Sequence, residues 1–390
     1  VERPICLDLT RLVSRAGAGP MTGIDRVEYA WLLHVLTLPV PVTALVRTAP
    51  GFALLDRAGM AVLAGKFARD DWGRADISGH LSRRISPARR RAESDIRRLA
   101  FARCSRVGLG RMLARHLPRI SAYFNTGHSN LSDRTLGAMA RAGAEIAVLV
   151  HDFIPLEYPE MQRAGTVAGF RARIDAIARH ADRVIYTSAA VARAGARWLP
   201  DLPAVIAPLG VAPTPPAPVT RPARAYFVTI GTIEPRKNHA LLLDIWQRLD
   251  AELGDDAPHL LILGQRGWNN AAVFARLDRA PMMGRSVFEL PGLPDGDIAG
   301  LLQGARALLF PSLTEGFGLP PLEAAALGVP VICADLPVYH ETLGNYPVYL
   351  PAQDSYAWQR HILALAKGAG ARKQPPALPT WQDHFTRATG

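Results

Sequence analysis

The chain has 390 residues, 49% of them hydrophobic and 20% charged, which predicts a globular protein of two domains with ample core. No apolar run approaches the roughly eighteen residues of a membrane span and no opening signal-peptide pattern is seen, so a chain neither secreted nor membrane-spanning is expected. The net charge of +11 is an arginine excess, with Lys66, Lys237, Lys367 and Lys373 the only lysines, and Cys6, Cys104 and Cys333 read as buried thiols in a reducing, cytoplasmic setting.

In chain order, Ile5 to Leu9 reads as a first strand, followed by a loop carrying Gly17, Gly19 and Gly23 and an amphipathic helix from about Ile24 to Leu36. Gly17-Ala-Gly19-Pro-Met-Thr-Gly23 has three residues between its last glycines, one more than a dinucleotide fingerprint has, so it gives no support for NAD. A basic, helix-permissive insert covers about 60–119. Between Arg83 and Arg119 it carries twelve arginines against Glu93 and Asp95. Three readings compete for 83–119: a solvated helical face, a contact with an anionic membrane surface, or a nucleic-acid patch. No nucleic-acid motif accompanies the charge, and no nucleic-acid partner is expected.

Further strands are predicted at Ser121 to Phe124, Ile146 to Val150, Val184 to Tyr186 and Val205 to Ala207. Asn125-Thr-Gly-His128 follows the first of these and His151-Asp152 the second. Strand ends of this kind are where ligands bind in open α/β sheets, which makes His151, Asp152 and His128 candidates for ligand contact. Ser188, after Tyr186, reads equally as a helix cap. The run Pro213 to Pro222 holds five prolines and is expected to be a hinge. A second α/β set follows at Ala225 to Ile230, Leu260 to Leu263, Val287 to Leu290, Ala307 to Phe310 and Val329 to Cys333. The alternation predicts parallel sheets.

Two segments of this second half carry chemistry. In Gly231-Thr-Ile-Glu-Pro-Arg236-Lys237-Asn238, two adjacent cations stand at a strand-to-helix junction, a pair suited to clamping a diphosphate. In Pro311-Ser-Leu-Thr-Glu315-Gly-Phe-Gly-Leu-Pro-Pro-Leu-Glu323-Ala-Ala-Ala-Leu-Gly-Val-Pro-Val331, a glycine loop opens a helix whose free amides attract an anion. Glu315 and Glu323 bracket that loop, a layout for a ligand with phosphate in the middle and hydroxyl-bearing rings at both ends. Asp295-Gly-Asp297 has the spacing of a metal-holding pair, but Asp297 directly precedes a helical pattern and reads as its N-cap, so no metal is expected.

The Glu315–Glu323 segment resembles the Glu-x7-Glu signature of retaining glycosyltransferases of family 4, whose GT-B fold pairs two facing Rossmann-like domains. The resemblance is strong from Ala225 to Pro351 and patchy before it. It implies an N-terminal acceptor-side domain over 1–210, a hinge over 211–224, a nucleotide-sugar domain over 225–372 and a crossover helix within 373–390. By the same resemblance Arg236 and Lys237 hold the donor diphosphate together with Gly316, Phe317, Gly318 and Leu319. Glu315 takes the transferred sugar, Glu323 the ribose and His151 the sugar from the opposite domain. Gly23 approaches the phosphate side of the donor or the acceptor, Asp152 and His128 stand on the acceptor side, and backbone near Leu293 meets the base. Thr232 stands where many relatives have arginine. Glu-Pro-Arg-Lys-Asn with His-Asp-Phe-Ile-Pro is most similar to bacterial polysaccharide mannosyltransferases. That implies GDP-mannose as co-substrate, no cofactor, a glycan or lipid-linked acceptor, and a cytoplasmic site of action at the inner membrane face. A UDP- or dTDP-sugar donor, a sugar-nucleotide epimerase and a non-catalytic scaffold of the same fold remain the alternatives.

Overall fold

The computed structural model describes residues 4–82, 84–117, 122–368 and 372–390, so Arg83, Arg119 and Ser121 lie outside the described residues. The first eight strands are β1 (Ile5–Asp8), β2 (Val42–Arg47), β3 (Gly51–Leu55), β4 (Ala102–Ser105), β5 (Ala122–Asn125), β6 (Glu145–Val150), β7 (Arg183–Tyr186) and β8 (Ala204–Ile206). They form one sheet in the order β4-β3-β2-β1-β5-β6-β7-β8. The remaining six are β9 (Tyr226–Ile230), β10 (His259–Leu263), β11 (Val287–Glu289), β12 (Leu308–Phe310), β13 (Val331–Ala334) and β14 (Val348–Leu350), ordered β11-β10-β9-β12-β13-β14. Each sheet is wound in both directions from its first strand, which leaves a crevice at the carboxyl ends of β1/β5 and of β9/β12.

The expectation of purely parallel sheets needs correcting at one edge. The β2–β3 and β3–β4 pairs are antiparallel, β2 passing to β3 through a tight turn in which Thr48 N–H donates to Gly51 O at 2.8 Å. A β-carbon on Gly51 would fall 2.0 Å from Cys104 O, so only glycine lets β4 approach here. The insert is therefore not wholly helical, because β4 lies within it. Its Pro87–Leu99 helix is also not a solvated face. Ala92 to Arg97 are buried, and three of the five arginines are bound to acids, Arg89 to Glu93 at 2.9 Å, Arg97 to Asp76 at 2.5 Å and Arg98 to Asp95 at 2.6 Å, while Arg90 and Arg91 donate to backbone carbonyls. A short helix, Thr10–Ser14, also stands where a loop was expected. In the second half β13 begins at Val331 rather than Val329, since Gly328 (φ +69°) and Pro330 turn the chain first.

The last helix, Trp381–Thr389, returns to the first half. Trp31 Nε1–H donates to His384 Nε2 at 3.0 Å, while His384 Nδ1–H donates to Ala207 O at 2.9 Å. Trp381 packs so closely that a β-carbon on Gly210 would overlap it, and the stacked pair His34–Phe385 closes the seam, with centroids 3.7 Å apart. His384 is fully buried and must stay neutral to accept from Trp31, and burial lowers its pKa from 6.5 to about 4. Its folded value lies below its unfolded one, so the associated stability is complete above pH 6.5 and is lost as pH falls toward 4. Over that window it amounts to about 3 kcal/mol. His384→Gln is expected to flatten this part of the acid limb of urea-unfolding curves; an unchanged slope between pH 7 and pH 4.5 would count against it.

Candidate active site

The two crevices face each other, and the polar residues that line them come from strand ends. After β9, Pro235–Lys237 form one 3-10 turn, and Asn238, in the left-handed region at φ +54°, redirects the chain into the His239–Leu253 helix. That turn aims Arg236 and Lys237 at the loop after β12. The loops are laced together by Leu313 N–H donating to Arg236 O at 2.7 Å. Glu315 is the focus. Its Oε1 lies 2.5 Å from Lys237 Nζ and its Oε2 2.7 Å from Arg236 Nη1, while Arg236 Nε also meets Glu234 at 2.7 Å.

Burial by itself pushes the Glu315 carboxyl up, but the two cations overcome it and bring it down to about 2. Burial pulls the Lys237 ammonium down despite Glu315, and the 2.5 Å contact with an ionised carboxylate keeps it cationic. Lys237 Nζ also lies 4.4 Å from the Phe310 ring centroid. The result is a largely buried cluster of two cations and two carboxylates, Glu234 and Glu315.

Across the crevice, β6 ends at Val150 and delivers His151 and Asp152. His151 Nε2–H donates to Thr126 O at 2.7 Å, which leaves Nδ1 as the acceptor of the neutral ring, and burial lowers its pKa to about 4. His128, at φ +56°, accepts from His151 N–H at 3.1 Å, so it supports the turn behind His151. Burial pushes Asp152 up to about 6 against the pull of Arg236.

The halves touch where a β-carbon on Gly316 would fall 2.3 Å from His151 O. No other residue fits that position without parting the loops. Gly318 (φ +82°) precedes the Leu319–Ala326 helix, and a β-carbon there would lie 2.6 Å from Tyr339. Pro320 and Pro321 occupy the first turn, where an amide donor is dispensable. Phe317 is buried in the core beside this loop.

The sequence-predicted residues thus fall into two groups. Arg236, Lys237, Glu315, Gly316, His151 and Asp152 meet in one place. Glu323 lies a little over one turn into the Leu319–Ala326 helix, and its Oε1 is 2.6 Å from Arg26 Nη1. Gly23 is the first residue of the Gly23–Thr37 helix, where a β-carbon would lie 3.6 Å from Leu319 Cδ1, so it belongs to the seam between the halves. Leu293 sits in the turn after β11, half-buried against the core.

The capping role expected of Asp297 does not hold. The helix is Asp295–Gly304, its N-cap position is Pro294 with no side-chain cap bond, and Asp295 instead meets Arg26 at 2.9 Å. Among the described residues no group of three or more His, Cys, Asp or Glu is placed to hold a metal. Sequence reasoning missed Arg26, Glu234 and Glu341. The last accepts from Ala189 and Ala190 N–H at 2.7 and 3.2 Å and so caps a first-half helix from the second half. Only Glu234 carried a signal, since it stands inside the Arg236-Lys237 motif.

Two doubly wound sheets meeting at their carboxyl edges define the GT-B fold of glycosyltransferases. HepE of Anabaena in complex with UDP-glucose superposes with a TM-score of 0.62 at 14% identity, covering 98% of this chain and 95% of that one. Sucrose-phosphate synthase of Thermosynechococcus elongatus gives 0.59 at 16% identity, covering 99% and 94%. Residues 216–375 match the family described as glycosyl transferases group 1.

Among curated proteins, the serotype-specific mannosyltransferase WbdA of Escherichia coli is 32% identical over 273 residues, covering 63% of this chain and 33% of that protein. O-antigen chain mannosyltransferase B of Escherichia coli is 37% identical over 140 residues, 36% of each chain. The chain spans about a third of the length of the curated relatives it matches. No helix among the described residues is long and apolar enough to cross a membrane.

Proposed function

We propose that this chain is a retaining glycosyltransferase that moves mannose from GDP-mannose to a glycan or lipid-linked acceptor in bacterial surface polysaccharide synthesis. The observation that carries the reading is the buried Arg236–Lys237–Glu315 cluster facing His151 across the crevice. Departure of the sugar builds charge on the leaving diphosphate. Arg236, Lys237 and the amides from Gly316 to Leu319 are preorganised to stabilise that charge without a metal.

Glu315, kept ionised by the same cations, accepts from sugar hydroxyls, and Glu323 accepts from the ribose diol. His151, neutral and oriented by Thr126, supports the sugar from the first half. The mannosyl donor follows from what the relatives WbdA and O-antigen chain mannosyltransferase B are named for. Within the insert, Arg103, Arg106, Arg111 and Arg115 are exposed, as is Val107 at 85%, which supports peripheral contact with an anionic membrane at the cytoplasmic face.

Separate incubations with GDP-mannose, UDP-sugars and dTDP-rhamnose test the reading. GDP release without a new sugar nucleotide is expected, and it should persist in EDTA. Formation of an epimerised sugar nucleotide, or release only when Mg²⁺ is restored, would overturn it. Sedimentation of the same protein with phosphatidylglycerol vesicles, abolished by high salt, checks the membrane contact.

A further inference from the structure

Arg26, on the Gly23–Thr37 helix of the first half, reaches into the second half. Its Nη1 meets Glu323 Oε1 at 2.6 Å and its Nη2 meets Asp295 Oδ1 at 2.9 Å. One planar guanidinium therefore joins two carboxylates carried by two different helices of the opposite domain, a use of the arginine fork that lysine lacks. The position is built. Thr22 and Asp25 close a capping box one turn earlier, with Thr22 N–H donating to Asp25 Oδ2 at 2.9 Å, and Gly23 lets the helix start sit against Leu319.

The ion pairs are exchangeable, because Arg26, Asp295 and Glu323 keep 31%, 34% and 22% of their side-chain exposure. Burial holds the Glu323 carboxyl above its ordinary range even with Arg26 in contact, so the guanidinium does not fully compensate it. A cavity of about 480 Å³ opens beside the pair, lined among others by Tyr29, Leu33 and Trp381, and gives the arginine side chain room to move off Glu323.

We propose that Arg26 is a positioning residue that competes with the ribose diol of the nucleotide for Glu323, while Asp295 keeps it tied to the donor domain. The inference rests on the ribose role proposed for Glu323. Both the guanidinium and a ribose hydroxyl are donors, and both seek the same carboxylate. Nucleotide entry thus exchanges an ion pair for a hydroxyl contact, which lowers affinity for the nucleotide. The arm left on Asp295 holds the halves together over the bound donor, which favours turnover.

Calorimetric titration of the full chain with GDP, together with donor kinetics, tests this. Arg26→Ala is expected to bind GDP about three- to fivefold more tightly, the upper scale of a partly exposed ion pair, and to lower kcat and donor KM together. In a Glu323→Gln background the gain should shrink to within about twofold, since removing a shared partner abolishes additivity. Arg26→Lys, with no fork to span both carboxylates, should fall between, and it carries the same cycle if the alanine variant does not fold. A merely structural role predicts weaker GDP binding in Arg26→Ala, and that result, or an equal gain in both backgrounds, overturns the inference. Unchanged GDP affinity in Glu323→Gln alone would remove the ribose assignment itself, and the competition with it.

Discussion

Lys237→Ala is expected to lower kcat/KM for the donor by roughly ten- to hundredfold, the scale of a charged hydrogen bond to phosphate at about 1.5–3 kcal/mol. It should weaken GDP binding by a similar factor, because the ammonium is proposed to meet the diphosphate in ground and transition states alike. The geometry adds a second consequence. Lys237 is buried 2.5 Å from Glu315, so its removal leaves that carboxylate with Arg236 alone. Losing one partner of a buried pair typically costs about 3–5 kcal/mol, and the surviving Arg236 contact places this variant at or below the low end. Urea unfolding read beside GDP titration separates the two effects. A folded variant with wild-type GDP affinity would place the diphosphate elsewhere.

The second large effect divides the two glutamates. Glu323→Gln is expected to weaken binding of bare GDP by about tenfold, through loss of a charged acceptor for the ribose. Glu315→Gln should leave bare GDP affinity within about threefold and depress turnover by roughly a hundredfold, since the sugar contact strengthens only as charge develops. The pH dependence of stability distinguishes them further. The folded pKa of Glu315, about 2, lies below its ordinary 4.5, so its contribution is present above pH 4.5 and is lost as pH falls toward 2. That contribution is about 3 kcal/mol, and Glu315→Gln should lack it throughout. Equal losses of GDP affinity in the two variants would show that the roles are misassigned.

The cluster at Arg236, Lys237 and Glu315 was legible because each residue sits inside a local motif at a strand-to-helix turn, where backbone geometry dictates the direction of the side chain. His151 was legible for the same reason, as the first residue beyond a five-residue apolar strand. Arg26 was not, because it is 297 positions from Glu323 and no local pattern encodes a pairing that exists only once the halves meet. The strands β2, β3 and β4 were missed on different grounds. They border or lie within a charged insert, and β2 and β3 are paired by the turn at Thr48–Gly51 rather than by a crossover helix. The buried acids of the Pro87–Leu99 helix were hidden by arginine excess: counting charge does not reveal which arginines already have partners.

The chain passes between its halves twice, once after β8 and once before the last helix, and the two passages are themselves hydrogen-bonded, Val211 N–H donating to Pro379 O at 3.0 Å. A body hung from two linked cords swings about the line joining them and resists being turned around any other axis. Two joined crossings thereby restrict how the halves can turn relative to each other, on the same molecule in which Gly316 lies against His151 O across the crevice.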